Sequence, residues 1–136
     1  MRESIVAYLA AAIVMAGLDF VWLKLSAEPL YHRALGTVMA DKPNMLAAVA
    51  FYLVYLVGVV VFAVRPALES GDWQSALWRG ALLGFIAYAT YDLTNLATLR
   101  VWTLKISLID MAWGAALTAI AASASAAITL MLAARP

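Results

Sequence analysis

The chain has 136 residues, 66% of them apolar and 12% charged, with nine basic and eight acidic side chains and a formal charge of +1; a soluble domain runs at about 45–50% apolar and about 25% charged. The mean hydropathy of +0.91 excludes a disordered chain, a nucleic-acid binder with a basic face and an ordinary water-soluble enzyme. Roughly 90 apolar residues exceed what so small a globule hides, so lipid must solvate much of its surface.

In chain order, the first apolar run is Ile5–Leu23, whose one charge is Asp19. It predicts a membrane span over 5–24. Leu25-Ser26-Ala27 is a poor cleavage site, so the run reads as a retained span and not as a signal peptide. The connection 24–44 follows. Ser26 and Glu28 precede Pro29, which suits a helix start. Leu30, Ala34, Leu35 and Val38 then share one helical face, with His32 and Arg33 directed elsewhere. The pattern predicts a short amphipathic helix in the membrane interface, either a connector covering apolar surface or a lid over a site. Asp41 to Asn44, containing Pro43, reads as a turn.

Met45–Val64 is free of charge and predicts a span over 45–64. Gly80–Leu99 contains only Asp92 and predicts a span over 79–99. Ile106–Ala134 contains only Asp110 and predicts a span over 106–132; it is too long for an untilted crossing, so Asp110 sits inside the core or at its edge. About 20 residues cross a hydrocarbon layer of about 30 Å. The expectation is an all-α, integral membrane four-helix bundle, a single domain over 1–136, with a short interfacial helix in its first loop. Continuous apolar runs disfavour a β-barrel. Four spans put the termini and a 65–79 loop on one side, with Arg2, Arg65, Arg79 and Arg135. Lys24, Arg33, Lys42, Arg100 and Lys105 fall on the other, too even a split to orient the chain.

A charge near the bilayer centre costs about 2.5–3.5 kcal/mol on the lenient insertion scale. Asp19, Asp92 and Asp110 should therefore face protein or water. Counted along their helices at about 1.5 Å per residue, all three fall roughly 7–11 Å below the same membrane face. Asp19 with Trp22, and Asp110 with Trp113, repeat a D-x-x-W spacing that puts each pair on one helix face. Gly80, Gly84, Tyr88, Asp92 and Asn95 form one stripe whose glycines admit a close neighbour. Tyr52 and Tyr55 offer hydroxyl donors. The candidate ligand-binding set is Asp19, Trp22, Tyr88, Asp92, Asn95, Asp110 and Trp113. Lys24, Arg100 and Lys105 are candidates to pair with the acids, in which case the layer is structural glue.

The strings L-D-F-V-W-L (18–23), F-Y-L-V-Y (51–55), Y-D-L-T-N-L-A-T-L (91–99) and D-M-A-W-G (110–114) resemble a family of small bacterial inner-membrane proteins described as a domain of unknown function. The resemblance implies a four-span, multi-pass protein of the bacterial plasma membrane. It brings no reaction, ligand or residue role.

Three functional classes follow from the residues. One is a carboxylate-lined site that binds or transports a small cationic or protonatable solute, with aromatic faces for cation–π contact and a homodimer as its expected assembly. Another is a membrane enzyme acting on a lipid or isoprenoid-like substrate, with paired aspartates as acid and base or as ligands to Mg²⁺. The last is a structural or accessory subunit of a membrane complex. Cysteine is absent and His32 is the one histidine, which excludes thiolate sites and bis-histidine haem. No metal site, no cofactor and no nucleic-acid partner is expected, since no G-x-G-x-x-G or Walker sequence occurs.

Overall fold

The computed structural model describes residues 1–36 and 38–134, without the Glu28 side chain. Arg135, counted above with the basic residues of one face, and the Glu28 side chain invoked for a helix start lie outside the described residues. Four long helices carry the fold: α1 (Arg2–Ser26), α2 (Met45–Ser70), α3 (Trp73–Thr98) and α4 (Leu104–Ala133). Among the described residues there is no strand.

α1, α2 and α4 are long and apolar enough to cross a membrane. α3 has the length, at 26 residues, but not the hydropathy. Its polar residues are the cause, and the packing turns its one acidic residue, Asp92, fully inward. The bundle is built around α4. Half of its most apolar stretch is buried, against 22% for α1 and α2, and it pairs most extensively with α3 and then α1. The shared core is mostly small: Ala7, Ala11 and Met15 of α1, Ala63 and Ala67 of α2, Ala76 of α3, and Ala121, Ala122 and Ala126 of α4. Small side chains let helix backbones approach where lipid provides no hydrophobic drive. The buried Ser125 hydroxyl donates to the Ala7 carbonyl at 2.7 Å, tying α4 to α1.

Gly80 and Gly84 meet α4 as the stripe predicts. A Cβ on Gly80 would lie 2.6 Å from the Thr118 carbonyl oxygen, and one on Gly84 would run into the Gly114 carbonyl. Gly17 and Gly58 are different: nothing lies within 4 Å of a Cβ there. Glycine inside a helix costs about 0.5–1 kcal/mol relative to alanine. Gly17→Ala and Gly58→Ala should each raise stability by about that much, read from thermal melts in detergent.

The 65–79 loop expected from charge is helical except for a tight turn. Arg65–Ser70 continues α2, and Trp73 already begins α3. Gly71 adopts φ +68°, which only glycine enters freely, and the Asp72 N–H bonds back to the Ala67 carbonyl at 3.1 Å. Asp72 then accepts from the Gln74 N–H at 2.9 Å and starts α3. Arg65 and Glu69 pair across one turn at 3.1 Å, so these charges decorate a helix end instead of marking a loop. Pro66 leaves its mark upstream. It has no N–H for the Phe62 carbonyl and its ring crowds that oxygen; residues Val60–Val64 widen into a π-helical segment, with the Arg65 N–H reaching the Val60 carbonyl five residues back.

The first connection also departs from expectation. No fresh helix starts at Pro29. Ala27–His32 extends α1 as a π-helical turn and passes into Arg33–Leu35. The predicted face is present in part. Leu35 packs with Trp102 and Ile106, with Leu30, Tyr31, Ala34, Leu96 and Val101 around them, while Val38 is exposed. His32 and Arg33 are exposed as the spacing suggests. Asn44 caps α2 by accepting from the Ala47 N–H at 3.1 Å.

Candidate functional site

Asp19 falls on the inward face of α1, in register with Ala7, Ala11 and Met15, and is 7% exposed. Two donors hold its carboxylate. The Tyr52 hydroxyl of α2 donates to Oδ2, and the Trp113 indole N–H of α4 donates to Oδ1 at 3.1 Å. Asp110, 6% exposed, accepts from the Tyr31 hydroxyl of the first connection. The Trp22 indole N–H in turn donates to the Tyr31 oxygen at 3.3 Å. Trp22 and Trp113 stack with ring centres 4.5 Å apart and planes 7° from parallel. A continuous acid–aromatic network therefore runs from Tyr52 through Asp19, Trp113, Trp22 and Tyr31 to Asp110. Neither tryptophan of the two D-x-x-W pairs bonds the aspartate three residues before it: Trp113 bonds Asp19, and Trp22 reaches Asp110 through Tyr31.

Asp92 stands apart chemically. It is 0% exposed and neither carboxylate oxygen has a hydrogen-bond partner. It lies close enough to Asp110 for their charges to interact. Its backbone carbonyl accepts from the Ser107 hydroxyl at 3.4 Å, and the Trp102 indole N–H donates to the same serine at 3.1 Å. Trp102 also meets the Tyr91 ring edge-on at 5.4 Å. A buried acceptor left without a donor costs about 1–3 kcal/mol, and more when charged. The Trp102 indole N–H lies near this carboxylate but donates to Ser107, which leaves the Asp92 oxygens short of donors.

Tyr88 is half-buried, with its ring seated over Gly114. It senses the charges of both Asp19 and Asp110. Asn95 is half-buried beside Tyr91. The Tyr55 hydroxyl pairs with the Thr118 hydroxyl at 2.8 Å and not with an acid. The expected charge pairing does not form. Lys24, Arg100 and Lys105 are exposed, Lys24 sits over the Phe20 ring at 4.6 Å, and no ion pair joins any of the three to an aspartate among the described residues. Neutral donors, not snorkelling cations, satisfy Asp19 and Asp110. Among the described residues no group of three acidic, histidine or cysteine side chains is placed to hold a metal ion.

Tyr31, Trp102 and Ser107 belong to this constellation; Tyr31 and Ser107 carry no expectation from the sequence, and Trp102 reads there only as an interfacial anchor. Tyr31 had a signal: at helical spacing it shares the face of Leu30, Ala34 and Leu35. Burial, and after it the bond to Asp110, push the Tyr31 phenol above its ordinary value. The free phenol ionises at about 10, so the native state holds the proton where an unfolded chain releases it. The tie to Asp110 should persist unchanged below about pH 10 and weaken as pH rises beyond it. Tyr31→Phe leaves Asp110 without its donor and should cost about 1–3 kcal/mol. Hydrogen exchange of residues 27–36, taken as protection relative to the intrinsic rate at each pH, checks both statements: lower protection is expected in the variant at neutral pH, and in the wild type only at strongly alkaline pH.

The fold and this network define an all-α integral membrane protein with an acidic, aromatic layer buried between its helices. Residues 4–127 match the family described as "Predicted membrane protein (DUF2177)", and the chain belongs to that family. Neither a curated relative nor a solved structure matches it.

Proposed function

We propose that α1 to α4 all cross the bacterial plasma membrane, and that the acidic layer is a site which binds or transports a small cationic or protonatable solute. α3 crosses in spite of its polar stripe because α4 covers that stripe. The observation that carries the reading is Asp92, a fully buried carboxylate with no donor on either oxygen. Asp19 and Asp110 have protein donors and form the wall; Asp92 keeps an unanswered charge for a visitor. A structural role alone would favour an apolar residue at that position, whereas an ionisable group inside a membrane protein marks a site by default.

The test uses dicyclohexylcarbodiimide, an apolar reagent that modifies carboxyl groups within membrane proteins. Mass spectrometry of the intact, detergent-solubilised chain should find the adduct on Asp92. Methylammonium should reduce that labelling, and Asp92→Asn should abolish it. Labelling of Asp92 that is indifferent to small amines and to alkali cations at every pH would count against a cation site.

A further inference from the structure

The site's solute class and route follow from what surrounds Asp92, granted the cation-site reading above. α2 meets α3 through Val60–Val64 and the helical Arg65–Ser70 beyond it, while Met45–Val59 stands off from α3. A pocket of about 300 Å³ fills that gap, lined by Phe51, Ala87, Tyr88 and Tyr91 and almost wholly apolar. Phe51 and Tyr91 are more than half exposed, so the pocket opens sideways, toward lipid. Asp92 does not itself line the pocket, but two of the lining residues adjoin it: Tyr91 directly precedes it, and Tyr88 lies one turn earlier on its own helix face. From the connection side the layer is closed by Leu35, Trp102 and Ile106, behind a rim bearing the exposed Lys24, Arg100 and Lys105, which repels cations arriving from water.

We infer that the site admits a lipophilic organic monocation, entering from the membrane between α2 and α3 and placing its charge at Asp92. One uncompensated carboxylate calls for one positive charge. Hard cations such as Ca²⁺ need six to eight oxygen ligands, and among the described residues no three acidic, histidine or cysteine side chains converge on one point; the rings of Trp102 and Tyr91 lie beside Asp92. Those rings suit an organic cation, because each face attracts positive charge while accepting apolar bulk. The apolar pocket then holds the body of the ligand, and the carboxylate fixes its head.

The probe is radiolabelled tetraphenylphosphonium, measured by equilibrium dialysis against the full chain in detergent micelles. Saturable binding is expected. Asp92→Asn should weaken it at least tenfold, and Ala87→Phe, which fills the pocket, should weaken it comparably. Gel filtration checks that each variant is folded; if Ala87→Phe aggregates, Asp92→Asn decides alone. No saturable binding by the wild type, or wild-type binding by Asp92→Asn, overturns the inference. If tetraphenylphosphonium fails while methylammonium still shields Asp92 from the carbodiimide, lateral entry of a lipophilic cation falls and the cation site stands. If neither protects nor binds, both fall.

Discussion

Asp92→Leu is expected to make the protein more stable and unable to bind a cation. The substitution removes two buried oxygens that have no hydrogen-bond partner and fills the space with an apolar side chain. Relief of an unsatisfied buried acceptor is worth about 1–3 kcal/mol, and replacing buried charge with packed apolar atoms is often stabilising. The other aspartates should respond with the opposite sign. Asp19→Leu strands the Tyr52 hydroxyl and the Trp113 indole N–H, and Asp110→Leu strands the Tyr31 hydroxyl. Each leaves buried donors without an acceptor, at about 1–3 kcal/mol. Thermal unfolding of the three variants in one detergent checks the split. A stability gain at the position that abolishes binding is the mark of a residue retained for function. Should Asp92→Leu melt as far below the wild type as Asp19→Leu, Asp92 would join the structural network and the proposed site would lose its ligand.

That separation among the aspartates was not visible in the sequence, which places them at one depth and treats them alike. Depth follows from counting residues along helices, and the rule that carboxylates avoid lipid makes each an inward-facing residue; the structure buries all three. Which of them acquires donors depends on groups distant in sequence. Tyr52 reaches Asp19 across 33 residues and Trp113 reaches it across 94. Tyr31 reaches Asp110 only because α1 runs on through a π-helical turn, while the pattern around Pro29 suggests a new helix. Charge misled in two places. Arg65 and Glu69 look like a loop and are an exposed pair on the end of α2. Lys24, Arg100 and Lys105 sit near the acids in sequence, but their long side chains gain more by staying in water than by following the carboxylates inward. The glycine stripe was legible in full, because spacing alone puts Gly80 and Gly84 on the face of Asp92.

That same stripe sets the second large effect: Gly84→Ala should break the α3–α4 contact. Its Cβ would collide with the Gly114 carbonyl and come within 2.6 Å of the Thr118 hydroxyl oxygen. The first obstacle is backbone, so no side-chain rotation relieves it; the helices must separate. Overpacking costs about 1–3 kcal/mol in cores that can adjust, and a backbone collision belongs at the upper end, about 3 kcal/mol. Separation would also move Tyr88, which rests on Gly114, and Asp92, which lies two turns beyond Gly84 on the same face, so binding should weaken together with stability. Gly114→Ala provides the contrast. The atoms nearest its Cβ would belong to the Tyr88 ring, and that ring borders the pocket formed with Phe51, Ala87 and Tyr91. Displaced into the pocket, it should reduce cation binding with a smaller loss of stability than Gly84→Ala. Melting temperature and tetraphenylphosphonium affinity, measured on the same preparations, distinguish the two. If Gly84→Ala melts with the wild type, α3 and α4 are not held at the spacing that positions Asp92.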